Sequence, residues 1–192
     1  MKTITQPPPD LKAKARFRYS LPMKPHRTML YVVNASERDN IAELIATSAL
    51  QGPMTIIAGS EWLPTYGLPR LLRRYTVAIK ETLERIQLAR AFTCYQMWDI
   101  LKQTPPIRDP LLMVNLLDTF FVEDIGLGIR TRILKQCAAE LSILSMSRPV
   151  VIIIRRSKGP VYDHFYKIVR AIAHETIKVD AAAGVTLPTR LF

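Results

Sequence analysis

The sequence predicts an α/β protein with a mostly parallel sheet covered by helices on both faces, and two observations carry that prediction. Short, continuous apolar runs recur at residues 29–33, 54–58, 111–116 and 150–154, without the polar alternation of a half-exposed strand. Strands buried on both faces have that character. Helical stretches separate these runs, at 38–50, 68–83, 95–101, 128–144 and 163–173, and regular alternation of the two element types implies a layered, mostly parallel architecture. A third observation sets the domain boundary. Residues 1–28 are interrupted by Pro7, Pro8, Pro9, Pro22 and Pro25 and lack helical period, so they read as an extended arm preceding an α/β domain at 29–192.

Taken in order, the run MLYVV is the first strand, and a polar elbow leads from it into the helix at 38–50. MTIIA is the second strand. The run IQLA at 86–89 carries a polar residue and reads as an edge strand, and two further buried strands follow at 111–116 and 150–154. A weaker strand is expected at 176–179. The helix at 128–144 shows its buried stripe most clearly: Ile129, Ile133, Leu134, Cys137, Leu141 and Leu144 recur at spacings of three and four, while Arg130, Arg132, Lys135 and Glu140 fall off it.

A chain of 192 residues that is 48% apolar is about one domain long and can bury a sizeable core. No apolar run approaches the roughly 20 residues needed to span a bilayer. The start MKTITQPPPDLKAK has no apolar stretch to act as a signal peptide, so a cytoplasmic protein is expected, with no membrane partner. Cys94 and Cys137 have neither CxxC nor Cys/His spacing and read as buried thiols. The net charge of +11 and pI near 10.0 are the strongest compositional signals. Residues 1–28 carry seven basic side chains against Asp10 alone, and 155–170 carry five against Asp163 alone. Clusters of this kind favour a polyanion, most simply nucleic acid, through counterion release. The alternative is a solvated basic surface with no specific ligand.

Two stretches go beyond generic α/β. In LERIQLARAFTCYQMWDIL, residues 83–101, a short strand ends in Ala89-Arg90-Ala91-Phe92 and a helix follows at once. In LLMVNLLDTFF, residues 111–121, an apolar strand ends in aromatics and precedes a long helix and the run VVIII. With the elbow in LYVVNASERDNIAEL at 30–44 and Trp62-Leu63-Pro64 after the second strand, this order resembles the core of the RecA-superfamily recombinases and their paralogues, over about residues 29–180. The resemblance implies a three-layer RecA-like (P-loop NTPase-type) fold.

It also implies a nucleotide site, and the residues speak against a working one. A phosphate loop needs glycines to let backbone N–H groups close on the phosphates, a lysine to neutralise them and a hydroxyl for Mg²⁺. Laid over the elbow, that motif puts Asn34 and Asp39 at the glycines, Asn40 at the lysine and Ile41 at the hydroxyl. The helix start has Ser36 or Asp39 as its own polar cap instead. The Walker B carboxylate falls on Asn115, the catalytic glutamate near Gly59, with Glu61 displaced, and the γ-phosphate sensor on Arg155-Arg156. Asp118, by strand alternation, is expected on the face opposite Asn115. No catalytic residue, cofactor or metal site is therefore expected. His26, His164 and His174 lack partners at ligand spacing.

In the resembling family the loop after VVIII is the second DNA-binding loop, and here it reads RRSKGPVYDHFYK. Arg155, Arg156, Lys158 and Lys167 are candidates for neutralising phosphates, and Tyr162, Phe165 and Tyr166 offer faces for unstacked bases. The alternative is that the aromatics anchor the following helix, with Phe165 in the core. Lys12, Lys14, Arg16 and Arg18 of the arm are further candidates for nucleic-acid contact. Phe17 and Tyr19, alternating with those arginines, are candidates for docking on a neighbouring subunit's sheet edge, as RecA-family arms do.

The expectation is thus a non-catalytic RecA-like recombinase paralogue, binding single-stranded DNA or acting as scaffold or mediator in recombination or repair. The resemblance implies a homo- or hetero-oligomer, with another RecA-family paralogue or a SWIM-type protein as partner. A pure protein-interaction subunit and an ATPase with a rearranged site are the competing readings.

Overall fold

The apolar runs at 54–58, 111–114 and 150–154 form strands whose successive side chains enter two separate cores. The computed structural model describes residues 28–33, 38–59, 67–121 and 124–179. The strands are β1 (Thr28–Val33), β2 (Met54–Ala58), β3 (Ile86–Arg90), β4 (Leu111–Val114), β5 (Val150–Arg155) and β6 (Glu175–Val179). They make one six-stranded sheet in the order β3-β2-β4-β5-β1-β6, and every pairing is parallel. The helices are α1 (Arg38–Gln51), α2 (Leu68–Leu72), α3 (Ile79–Glu84), α4 (Cys94–Gln103), α5 (Leu127–Ser145) and α6 (Pro160–Ile172), with a 3₁₀ turn at Leu116–Phe120.

Alternation along the central strands separates the layers. Ile57, Leu111, Met113, Val150, Ile152 and Ile154 pack with α4, α5 and α6. Ile56, Ala58, Leu112, Val114, Val151 and Ile153 pack with α1 and α2 on the other face. Chain direction explains the division. From β1 to β2 to β3 the chain moves toward the β3 edge, and from β3 through β6 it moves back. Right-handed crossovers running in opposite directions must place their helices on opposite faces. The three-layer α/β architecture follows.

The structure corrects several boundaries. The expected strand at 111–116 stops at Val114, because Asn115 adopts the left-handed conformation (φ 54°, ψ 43°) and turns the chain into the 3₁₀ segment. The helix expected at 68–83 is two short ones: Leu68 and Leu72 reach the core, but the chain then turns, and Val77, β-branched and fully exposed, has no core to face. Ile129, assigned to the buried stripe of α5, is 43% exposed; Ala138 and Ser145 are buried in the stripe instead. Asp39 lies inside α1, past the position of an N-cap. Thr28, counted with the arm, is the first residue of β1 and is fully buried; the rest of the arm, 1–27, and the cap candidate Ser36 lie outside the described residues, as do Trp62-Leu63-Pro64 and the C-terminal residues 180–192.

At the amino edge of the sheet Arg148, just before β5, is completely buried. It donates from Nη1 to the Pro105 carbonyl at 3.2 Å and from Nη2 to Thr55 Oγ1 at 2.8 Å and the Pro110 carbonyl at 3.2 Å. One guanidinium thereby ties the 104–110 connection to the starts of β2 and β4. Burial lowers its pKa, with Asp109 opposing the shift. His174 closes the same edge at β6: its Nδ1 accepts the Thr28 N–H at 3.0 Å while its own N–H donates to the Thr28 carbonyl at 2.9 Å. No described helix is long and apolar enough to cross a membrane.

Candidate nucleic-acid interface

Because all six strands are parallel, their carboxyl ends meet at one edge. In open α/β sheets ligands bind outside that edge, where neighbouring strands send their connections to opposite faces. β1 and β5 are such a pair, and so are β2 and β4. The elbow candidates and the basic loop converge at the first, since Val33 at the end of β1 pairs with Arg155 at the end of β5.

Of the residues laid over the phosphate loop, Ile41 is 2% exposed and packs in the core beneath α1. Its side chain serves the helix-to-sheet contact. Asn34 lies outside the described residues, and Asp39 and Asn40 stand in the first turn of α1. At the second switch point Gly59 and Asn115 are in contact. The Gly59 N–H donates to the Val114 carbonyl at 2.8 Å, and a Cβ at Gly59 would overlap the Asn115 carbonyl oxygen. Glycine is required there because two backbones approach too closely for any side chain. Asn115 is itself 1% exposed, and neither end of its side-chain amide has a hydrogen-bond partner. A buried amide in this condition is costly.

Asp118 lies on the 3₁₀ turn, where the alternation argument fails because the strand has already ended. Its Oδ2 sits 3.4 Å from Nη2 of Arg155, with the aspartate side chain 17% and the arginine side chain 39% exposed. This pair joins the turn after β4 to the start of the basic loop. A second tie holds the loop's far end: Phe121 stacks on Tyr162 at 6.4 Å between centroids, and Tyr162 stacks on Tyr166 at 6.0 Å. Between the two ties run Arg156, Ser157 and Lys158, all exposed, and Gly159, whose φ of +117° suits glycine before Pro160 opens α6.

Tyr162 is therefore corrected. It was a candidate stacking face for bases, but it is 6% exposed and its ring is already covered by protein aromatics. Burial pushes its hydroxyl pKa up, partly offset by the nearby Ser157 amide. Phe165 is fully buried and packs against Phe120 and Phe121. Both residues point inward because they share the apolar stripe of α6 with Val169. Lys167 is exposed but sits about two turns along α6 from the loop, so Arg155, Arg156 and Lys158 are the assembled group. Lys12, Lys14, Arg16, Arg18, Phe17 and Tyr19 lie outside the described residues.

The same edge carries residues the sequence reading passed over. Phe92 and Tyr95, after β3, are 52% and 49% exposed. They follow Arg90, the last residue of β3. Three strand spacings separate β3 from β5, roughly 14 Å. Their signal in the sequence was two aromatics at the start of α4 off the stripe of Cys94, Met97 and Leu101. Both cysteines are fully buried, and burial raises both thiol pKa values, that of Cys137 to about 12. The described residues hold no group of three or more His, Cys, Asp or Glu side chains placed to bind a metal.

The fold and site define a class, a three-layer α/β domain with a basic loop at the carboxyl edge of an all-parallel sheet. No protein-family model matches the chain, and no curated protein matches it significantly.

Proposed function

We propose that this chain is a non-catalytic RecA-like paralogue that binds single-stranded nucleic acid at the carboxyl edge of its sheet, as a DNA-binding scaffold or mediator in recombination or repair. The observation that carries the reading is the loop 155–158. It places Arg155, Arg156 and Lys158 at a strand switch point and is tied to the protein at both ends. A basic loop held in place loses little conformational entropy when it meets a phosphate chain. Phe92 and Tyr95 on the same edge offer exposed rings to unstacked bases. At the phosphate-loop position Ile41 is core, and Asn115 carries no charge to hold a metal, which supports a role without ATP hydrolysis.

The test is binding of a labelled oligothymidylate by the full chain across a salt series. Affinity should fall steeply with salt, and reversing Arg155, Arg156 and Lys158 to Glu should weaken it by roughly a hundredfold at moderate salt, three phosphate contacts being worth about fivefold each. Absence of binding at low salt, or indifference to the triple change, removes the reading.

A second reading, an interaction subunit without nucleic-acid binding, draws on a different observation. Among the described strands β3 lies at an edge, and Leu88 on it is 45% exposed, as is Phe92 beyond its end at 52%. Exposed apolar side chains on a strand edge suit the addition of another protein segment. Another RecA-family paralogue or a SWIM-type protein is the partner class this reading proposes, and co-purification with the full chain tests it.

A further inference from the structure

Arg155 is at once the first cation of the basic loop and the partner of Asp118. We infer that Asp118 is an internal counter-ion for Arg155, a positioning residue that a phosphate of the bound strand must displace. The inference rests on the nucleic-acid reading and specifies how that site is regulated.

The geometry supports displacement over a permanent bond. At 3.4 Å between Nη2 and Oδ2 the contact is longer than a well-formed charge-assisted bond. The Arg155 side chain is over a third exposed, at the same sheet edge as the exposed Arg156 and Lys158. With the arginine side chain 39% and the aspartate 17% exposed, the pair is only partly buried, and its long separation leaves it weak enough for a competing anion to break. The aspartate is held by the 3₁₀ turn, whose register follows from the left-handed Asn115 and from Gly59 beneath it. When a phosphate takes Arg155, the carboxylate stays near the strand and repels it. Asp118 thus sets a threshold: a closely spaced phosphate chain pairs with several cations at once and overcomes it, whereas an isolated carboxylate offers Arg155 no more than Asp118 already does.

The test compares wild-type full chain with Asp118→Asn in oligothymidylate binding across a salt series. Asp163→Asn, which changes the net charge equally on the exposed side of α6, is the control. Removing the carboxylate should tighten binding about two- to fivefold at low salt while leaving the log–log salt slope unchanged, because Arg155 meets a phosphate in both bound proteins. D163N should not tighten binding, and D118N should add nothing in an Arg155→Gln background. Wild-type binding that D118N leaves unchanged or weakens overturns the inference while leaving the nucleic-acid reading intact. If neither protein binds, both fall. Should D118N fail to fold, R155Q and Lys158→Gln decide: R155Q should cost less affinity than K158Q, and an equal or larger loss overturns the inference.

Discussion

The two ends of β5 carry arginines in opposite circumstances. Arg148, before the strand, is wholly buried and gives its two Nη groups to two carbonyls and a hydroxyl, its Nε alone being without a partner. Arg155, the strand's last residue, is over a third exposed and leans on one carboxylate. The difference shows how a single sheet assigns structure to one edge and exchangeable contacts to the other. A buried cation survives only where fixed acceptors replace its water, and closely packed loops at the amino edge supply them. At the carboxyl edge Arg155 lies partly in solvent and keeps part of its hydration.

The largest test of this contrast is a pair of truncations. Arg148→Ala should destabilise the fold by about 3 to 5 kcal/mol, through a cavity and abandoned carbonyls. Arg155→Ala should cost no more than about 1 kcal/mol, as a half-exposed ion pair does. Urea unfolding midpoints measure both, and equal costs would erase the distinction between the edges.

Next in size is Gly59→Ala, which should cost about 1 to 3 kcal/mol because its Cβ meets the Asn115 carbonyl. It also sharpens the comparison, since the displaced 3₁₀ turn carries Asp118. Oligothymidylate affinity should change along with the thermal midpoint.

The smallest expected effect is that of Tyr162→Phe. The hydroxyl is buried without a partner in hydrogen-bonding geometry, so its removal should leave stability unchanged or raise it by up to about 1 kcal/mol. If Tyr162 serves only to anchor the loop, oligonucleotide affinity should also hold. A drop in affinity at constant stability would return the residue to the ligand.

Much of the fold was legible because burial on both sides of a sheet writes itself as uninterrupted apolar runs. MTIIA, VVIII and the edge strand at 86–89 stand where the sequence reading placed them, within a residue. The site was less legible. Residue type and place in the helix alone do not distinguish Tyr162, buried against Phe121, from Tyr95, left in solvent; both are tyrosines in the first turn of a helix, and only the stripe shared with Phe165 and Val169 carries the first into the core. The end of β4 was misread for a similar reason, since LLMVNLL continues the apolar pattern through a backbone reversal at Asn115.

By itself, the sequence determined the element types, the layered architecture and the want of glycine and lysine in the elbow after the first strand, because periodicity, apolar content and residue chemistry act over a few neighbouring positions. Tertiary structure alone decided that Arg148 is an internal tie and that Asp118 faces Arg155. Those pairings join residues tens of positions apart, and their energies depend on how much water the packed chain leaves around each charge.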